Sequence, residues 1–82
     1  MLDFQTRVKL DVDQENLTVQ VDFQPESSQT TYDICDLHGR ILQSGEIDSA
    51  ETSLKLSVFE NGQYIVLILD GNRAHSEKFQ LG

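Results

Sequence analysis

Cysteine is almost absent from the chain, which has Cys35 as its only thiol among 82 residues. A single thiol cannot form an internal disulfide, so a domain of this size depends on side-chain packing for its stability. Ligands for a structural zinc ion are equally scarce, because such a site takes three or four Cys or His side chains and the only histidines are His38 and His75. The composition therefore predicts neither a disulfide framework nor a structural zinc site within one chain.

Basic residues are few as well. Six Lys and Arg residues stand against fourteen Asp and Glu residues, and the net charge is −8. Proteins bind nucleic acids and anionic lipid surfaces through clustered positive charge, which this composition does not supply. We therefore expect no nucleic-acid partner.

Long hydrophobic segments are also missing. The longest apolar run is YIVLIL at residues 64–69, whereas a helix needs about 20 apolar residues to cross a bilayer. The first residues, MLDFQTRVKLD, lack the apolar centre of a secretory signal. We expect no membrane insertion, and no signal peptide within these residues.

Alternation of polar and apolar residues is the dominant pattern. Apolar side chains recur at every second position, and no stripe of 3.6-residue period is long enough for a helix. Short polar connections separate the alternating segments, which we predict to be strands at residues 4–12, 17–23, 30–37, 40–47, 54–58, 64–69 and 73–81. Seven short strands at this spacing predict one all-β domain over residues 1–82, a seven-stranded antiparallel sandwich of the immunoglobulin or fibronectin type III kind.

The pattern also predicts where individual strands lie. Residues 64–69 are apolar at every position, which predicts a central strand buried on both faces. Residues 73–81 mix polar and apolar side chains, which favours the edge of a sheet. The predicted core comprises Val19, Val21, Ile34, Leu54, Leu56, Val66 and Ile68.

Four side chains of metal-ligand or nucleophile type crowd into the stretch YDICDLHGRILQSG: Asp33, Cys35, Asp36 and His38. In a strand, alternate residues face opposite sides, so Cys35 and His38 should diverge. The neighbouring aspartates should raise the pKa of the thiol, which opposes nucleophilic chemistry. Gly39 suits a tight turn between two strands. We interpret the stretch as a β-hairpin and predict no catalytic residue, no metal ligand and no cofactor there.

A second group of carboxylates lies at Asp11, Asp13 and Glu15. Their spacing resembles part of a calcium loop. However, an EF-hand loop runs over about twelve residues, with a glycine near its middle and a bidentate Glu at its end. The connection here is too short for that loop, so we interpret these residues as a solvated acidic tip whose role the sequence leaves open.

Tyr64 opens the predicted central strand just after Asn61-Gly62. A tyrosine in this position is typical of a tyrosine corner, in which the hydroxyl donates to backbone a few residues upstream. We expect the acceptor within residues 58–61. An ordinary hairpin with an exposed tyrosine is the alternative, since Asn-Gly is also a two-residue hairpin signal.

Four segments carry a family resemblance: DLHGRIL at residues 36–42, LKL at 54–56, NGQYIVLI at 61–68 and EKF at 77–79. Together they resemble two β-sandwich families of Bacteroidetes. One is the C-terminal sorting domain of type IX secretion cargo, and the other is an uncharacterised family of short exported Bacteroides proteins. The resemblance covers most of the chain, about residues 17–81.

The resemblance implies scaffold roles for Gly39, Gly62 and Tyr64, and it matches Lys78 and Phe79 to the terminal sorting signal. Neither family implies a catalytic residue or a cofactor. Sorting domains usually begin with a Pro-Asn-Pro element, which this chain lacks, and this departure favours the free-standing exported family.

The expected function is therefore that of a non-catalytic module, exported to the periplasm or cell surface, that acts through protein contacts. We expect a protein partner to engage the edge strand at residues 73–82 or the loops at one end of the sandwich. The alternative is a C-terminal sorting domain of a larger cargo protein. A metal-binding or cysteine-dependent enzyme is the least favoured class, and the oligomeric state is open.

Overall fold

The computed structural model describes residues 8–56 and 60–82, and these residues form an antiparallel β-sandwich. The strands are β1 (Lys9–Asp13), β2 (Thr18–Asp22), β3 (Thr30–Asp36), β4 (Ile41–Glu46), β5 (Glu51–Lys55), β6 (Gly62–Asp70) and β7 (Arg73–Leu81). One sheet has the order β1-β2-β5 and the other has the order β4-β3-β6-β7. The predicted all-β, seven-stranded fold is confirmed.

The described ranges contain no helix, and hence none that could cross a membrane. Strand positions agree with the sequence pattern to within a few residues, with two exceptions. Residues 4–7 of the first predicted strand and residues 57–58 of the fifth lie outside the described ranges. In addition, β5 begins at Glu51 rather than at residue 54, because Glu51 and Thr52 pair with Asp22 and Val21 of β2. Backbone pairing thus extends this strand through residues whose side chains gave no apolar signal.

The core lies between the two sheets and is built from the inward residues of each strand. All seven predicted core residues are buried. The larger inward residues Phe23, Tyr32, Ile47, Phe79 and Leu81 belong to the same cluster. Period-two alternation places them there, because successive side chains of a strand point to opposite faces.

β6 is central, as predicted, since it pairs with β3 on one side and β7 on the other. The prediction that both of its faces are buried was wrong. Val66 and Ile68 point into the core, but Leu67 is only half-buried and Leu69 is 42% exposed on the outward face. A continuous apolar run identifies the strand, but among the described residues no further layer packs on its outward side.

The tyrosine corner is confirmed. The Tyr64 hydroxyl donates a hydrogen bond to the Glu60 carbonyl at 2.5 Å. The ring is 7% exposed and stacks on Phe79, with 5.5 Å between the ring centroids. A buried ring is incompatible with the alternative of an exposed hairpin tyrosine. The corner ties the start of β6 to the segment that arrives from the other sheet.

A buried carboxylate fixes the connection between β2 and β3. Asp70 accepts hydrogen bonds from the backbone N–H groups of Glu26 and Ser27, both at 2.9 Å, and from the Thr30 hydroxyl at 2.8 Å. These bonds, the Glu26 amide first, lower the pKa of Asp70 below its ordinary value, against the opposing effect of burial. The residue joins segments more than forty positions apart, so nothing local in the sequence indicated its role.

Candidate functional site

The β3–β4 connection is a tight turn closed by one carboxylate. Asp36 Oδ1 accepts from the backbone N–H groups of His38 at 2.9 Å and Arg40 at 3.0 Å, and Oδ2 accepts from Arg40 Nε at 2.8 Å. The Arg40 side chain is the main reason that the pKa of Asp36 is lowered. Gly39 takes a φ of 85°, as a turn at this point requires. Both oxygens of Asp36 therefore serve the turn.

Cys35 and His38 lie in different surroundings. Cys35 is half-buried on the outward face of the larger sheet, between Ile41 of β4 and Ile65 of β6, whereas His38 is exposed at the hairpin tip. Burial raises the pKa of the Cys35 thiol, and Asp33 and Asp36 raise it further. This environment disfavours the thiolate that nucleophilic chemistry needs.

The acidic tip is likewise organised by hydrogen bonds within its own turn. Asp13 accepts from the backbone N–H groups of Glu15 at 3.1 Å and Asn16 at 3.2 Å, and from Asn16 Nδ2 at 2.7 Å. The Asn16 side chain contributes most to the lowered pKa of Asp13. Asp11 points outward from β1 and does not join this turn. Across residues 8–56 and 60–82, no group of three or more His, Cys, Asp and Glu side chains is placed to hold a metal ion.

A cleft of about 570 Å³ separates the β3–β4 turn from residues 60–64. Leu37 and Leu42 line it on one side, and Asn61 and Gln63 line it on the other. Among its lining residues, Asp36 and Arg40 are paired with each other, and the Glu60 carbonyl accepts from the Tyr64 hydroxyl.

β7 is an edge strand, as predicted, because among the described residues it pairs only with β6. Lys78 is exposed on the outward side of this strand, whereas Phe79 points inward and is buried. The two residues matched to a sorting signal therefore have different roles. Phe79 anchors the strand against Tyr64, and Lys78 is available at the surface.

The end of β7 is held by a side chain that the sequence analysis did not single out. Gln14 Nε2 donates to the Gln80 carbonyl at 3.0 Å, and Gln14 Oε1 accepts from the Gly82 N–H at 3.0 Å. The amide thus offers the edge one donor and one acceptor, as a neighbouring strand would. A glutamine in a polar turn carries no distinguishing signal, so this contact could be found only in three dimensions.

Comparison with known proteins identifies relatives of the whole fold. Residues 13–81 match the sequence model of a family described as the secretion system C-terminal sorting domain. The structure is similar to that of a DUF3244-family protein of Bacteroides vulgatus with an immunoglobulin-like β-sandwich fold. The TM-score is 0.75 and the identity 16%, over 94% of this chain and 85% of that one.

A second similar structure is the BSP domain of a biofilm-associated protein. Here the TM-score is 0.69 and the identity 16%, over 92% of this chain and 14% of that longer one. Identities this low show a shared fold. No curated protein sequence matches the chain.

Proposed function

The chain belongs to the secretion system C-terminal sorting domain family, and from that membership we propose that it directs an exported protein to a type IX secretion machine, which engages its last strand. The family match over residues 13–81 is the observation that carries this proposal. It favours the sorting domain over the free-standing module that the missing Pro-Asn-Pro element had favoured. The sorting family and the Bacteroides neighbour both indicate an exported protein.

The proposed role needs no chemistry from the domain itself. The families found are of non-catalytic kinds, and the carboxylates Asp36 and Asp13 are occupied in turns. Recognition therefore rests on shape, backbone groups and surface charge. We place the final location of the protein in the periplasm or at the cell surface.

β7 has the features of a strand that a receptor can read. It lies at a sheet edge, and an edge strand can pair with a strand of another protein through backbone hydrogen bonds. Its inward residues Phe79 and Leu81 are buried and hold the strand in register. Its outward Lys78 is exposed in a domain of net charge −8, so it marks this edge with a positive charge. The partner proposed here is a protein, and it reads Lys78 together with the backbone of the edge.

A reporter fusion tests the proposal. A fluorescent protein with a signal peptide at its start and residues 1–82 at its end would be expressed in a Bacteroidetes host with a type IX system. We expect the reporter outside the cell, and we expect it to stay in the periplasm when an unrelated immunoglobulin-like sandwich replaces the domain. Retention of both fusions in a host that exports its own cargo would contradict the proposed function.

Deletion of Phe79–Gly82 removes the end of β7 with the buried residues Phe79 and Leu81, so circular dichroism of the purified domain must accompany the export measurement. We expect the deletion to stop export. A deleted domain that remains folded and is still exported would exclude recognition through the last strand.

A further inference from the structure

The two outward faces of the sandwich differ in chemical character. On the smaller sheet, every outward position of β1, β2 and β5 carries a polar residue, as in the row Asp11, Gln20 and Ser53. Such a face is suited to water. It serves as an internal reference for the outward face of the larger sheet.

The larger sheet has an outward face with a continuous apolar area, here called the apolar face. It comprises Cys35, Ile41, Ile65, Leu67, Leu69 and Ala74, which are neighbours through the strand pairings. Ile41 is 60% exposed and Leu69 is 42% exposed. Contiguous apolar side chains on a surface mark interaction sites, whereas isolated ones do not. The contrast with the polar face of the same domain indicates that this one is built for contact.

One carboxylate, Asp33, stands in the middle of the apolar face, and a second, Glu46 of β4, lies at its rim beside Thr31. Asp33 on β3 lies opposite Leu67 of β6 and accepts a hydrogen bond from the Ser44 hydroxyl at 2.6 Å. Within the described ranges no Lys, Arg or His forms an ion pair with it. Lys78 lies on the same face, on β7, two strands away and in the next row of side chains.

A partner that covers the apolar face must compensate this charge. Removing water from an unpaired carboxylate costs free energy, and a cation placed opposite it recovers that cost. The charge therefore selects among apolar partners: one with a Lys or Arg at the matching position is favoured, and one with only apolar residues is rejected.

We propose that the apolar face is a docking site for a protein surface that presents an arginine or lysine surrounded by apolar side chains. A second copy of this chain would bring Lys78 on the same face, but it would also bring its own Asp33 and a net charge of −8, so it is the competing outcome of the test. The site adjoins Lys78, but its side-chain contacts differ from backbone pairing at the β7 edge, and peptide binding tests it without the secretion machinery.

Synthetic peptides provide the probe. A ten-residue peptide of alternating Leu and Arg presents the proposed chemistry, and a peptide of alternating Leu and Glu reverses its charge. Each would be titrated into the full chain while backbone amide resonances are followed by NMR. We expect the Leu-Arg peptide to shift the amides of Cys35, Ile65, Leu67 and Leu69, and the Leu-Glu peptide to bind at least tenfold more weakly.

Matched variants separate the site from general charge attraction. Asp33→Asn keeps an oxygen that can accept from Ser44 and removes the charge, whereas Asp22→Asn removes one charge from the polar face. We expect about tenfold weaker Leu-Arg binding for Asp33→Asn and less than a twofold change for Asp22→Asn. Equal losses in the two variants, or shifts confined to residues 11–15, would overturn the proposal in favour of non-specific attraction.

Ile41→Ser tests the apolar part of the same surface. We expect it to weaken Leu-Arg binding by several-fold and to leave the fold intact, because Ile41 is exposed at an edge strand. Sedimentation of the wild-type chain provides the competing outcome. A dimer that dissociates in Ile41→Ser and is indifferent to Asp33→Asn would overturn the proposal and assign the apolar face to a second copy.

Discussion

Single carboxylates shape three of the connections in this domain. Asp13, Asp36 and Asp70 each accept two backbone N–H groups from the segment they organise. All three pKa values are lowered because hydrogen bonds favour the charged form, chiefly from the Asn16 side chain to Asp13, the Arg40 side chain to Asp36 and the Glu26 amide to Asp70. An acidic composition therefore contributes directly to the fold, since some of its carboxylates replace the longer loops or disulfides that other small domains use.

Asp70→Asn should make the free energy of unfolding less dependent on pH in the acidic range. The folded pKa of Asp70 lies below its ordinary value of 3.8, so its contribution is present above that value and is lost as the pH falls through the lower folded value. The wild-type chain should therefore lose stability on acidification below about pH 5, with the loss continuing below pH 3.8. Asp70→Asn should be less stable at pH 7 and should lose less on acidification.

Urea unfolding at a series of pH values measures this difference. Asp22→Asn is the control, because Asp22 is exposed on the polar face. If the midpoints of wild type and Asp70→Asn fall in parallel from pH 6 to pH 3, the buried carboxylate does not contribute as described.

Tyr64→Phe should remove the bond to the Glu60 carbonyl and keep the ring on Phe79. The expected loss in the free energy of unfolding is about 0.5–1.5 kcal/mol, the usual net value of one hydrogen bond. Chemical denaturation measures it, and Tyr32→Phe is a reference, since the Tyr32 hydroxyl contacts the Gln43 side chain rather than backbone. An unchanged stability for Tyr64→Phe would mean that the corner bond is not needed.

The strands themselves are the part of the structure that the sequence predicted best. Alternation of side chains is a property of extended backbone, so the pattern identified all seven strands and buried residues in or beside β2, β3, β5 and β6. The prediction that the outward face of β6 is buried was wrong, because a run of apolar residues does not indicate whether another layer packs against that face. Gln14 and Asp70 could not have been found, since their partners lie 66 and 44 positions away in the chain.

Two substitutions on β6 test directly whether its inward face is buried and its outward face is exposed. Val66→Ala should lower the free energy of unfolding by roughly 2–4 kcal/mol, because Val66 is fully buried between the sheets. Leu69→Ala on the same strand should cost less than about 1 kcal/mol, because an exposed side chain loses little on truncation. The difference is measured by urea unfolding of the two variants side by side. Similar losses would indicate that the outward face is buried after all.

At the scale of the whole molecule, the domain presents two distinct outward faces and an edge strand near the end of the described chain. One face is polar, and the other is apolar around Asp33. For the hairpin and the acidic tip, the sequence predicted turns, and Asp36 and Asp13 organise those turns. The β7 edge with Lys78 is the candidate site for a partner. The mixture of polar and apolar residues at 73–81 predicted the edge, and the family resemblance singled out Lys78.

The central claim is that a secretion machine reads the β7 edge, and one measurement tests it most directly. The fluorescent reporter fused to residues 1–82 would carry either Lys78→Glu or, as a matched control, Lys55→Glu, which reverses an exposed lysine of β5 on the polar face. Because both lysines are exposed, we expect both domains to fold. The fraction of reporter found outside the cell should fall at least tenfold for Lys78→Glu and stay near the wild-type level for Lys55→Glu. Equal export of the two variants would contradict recognition through this edge.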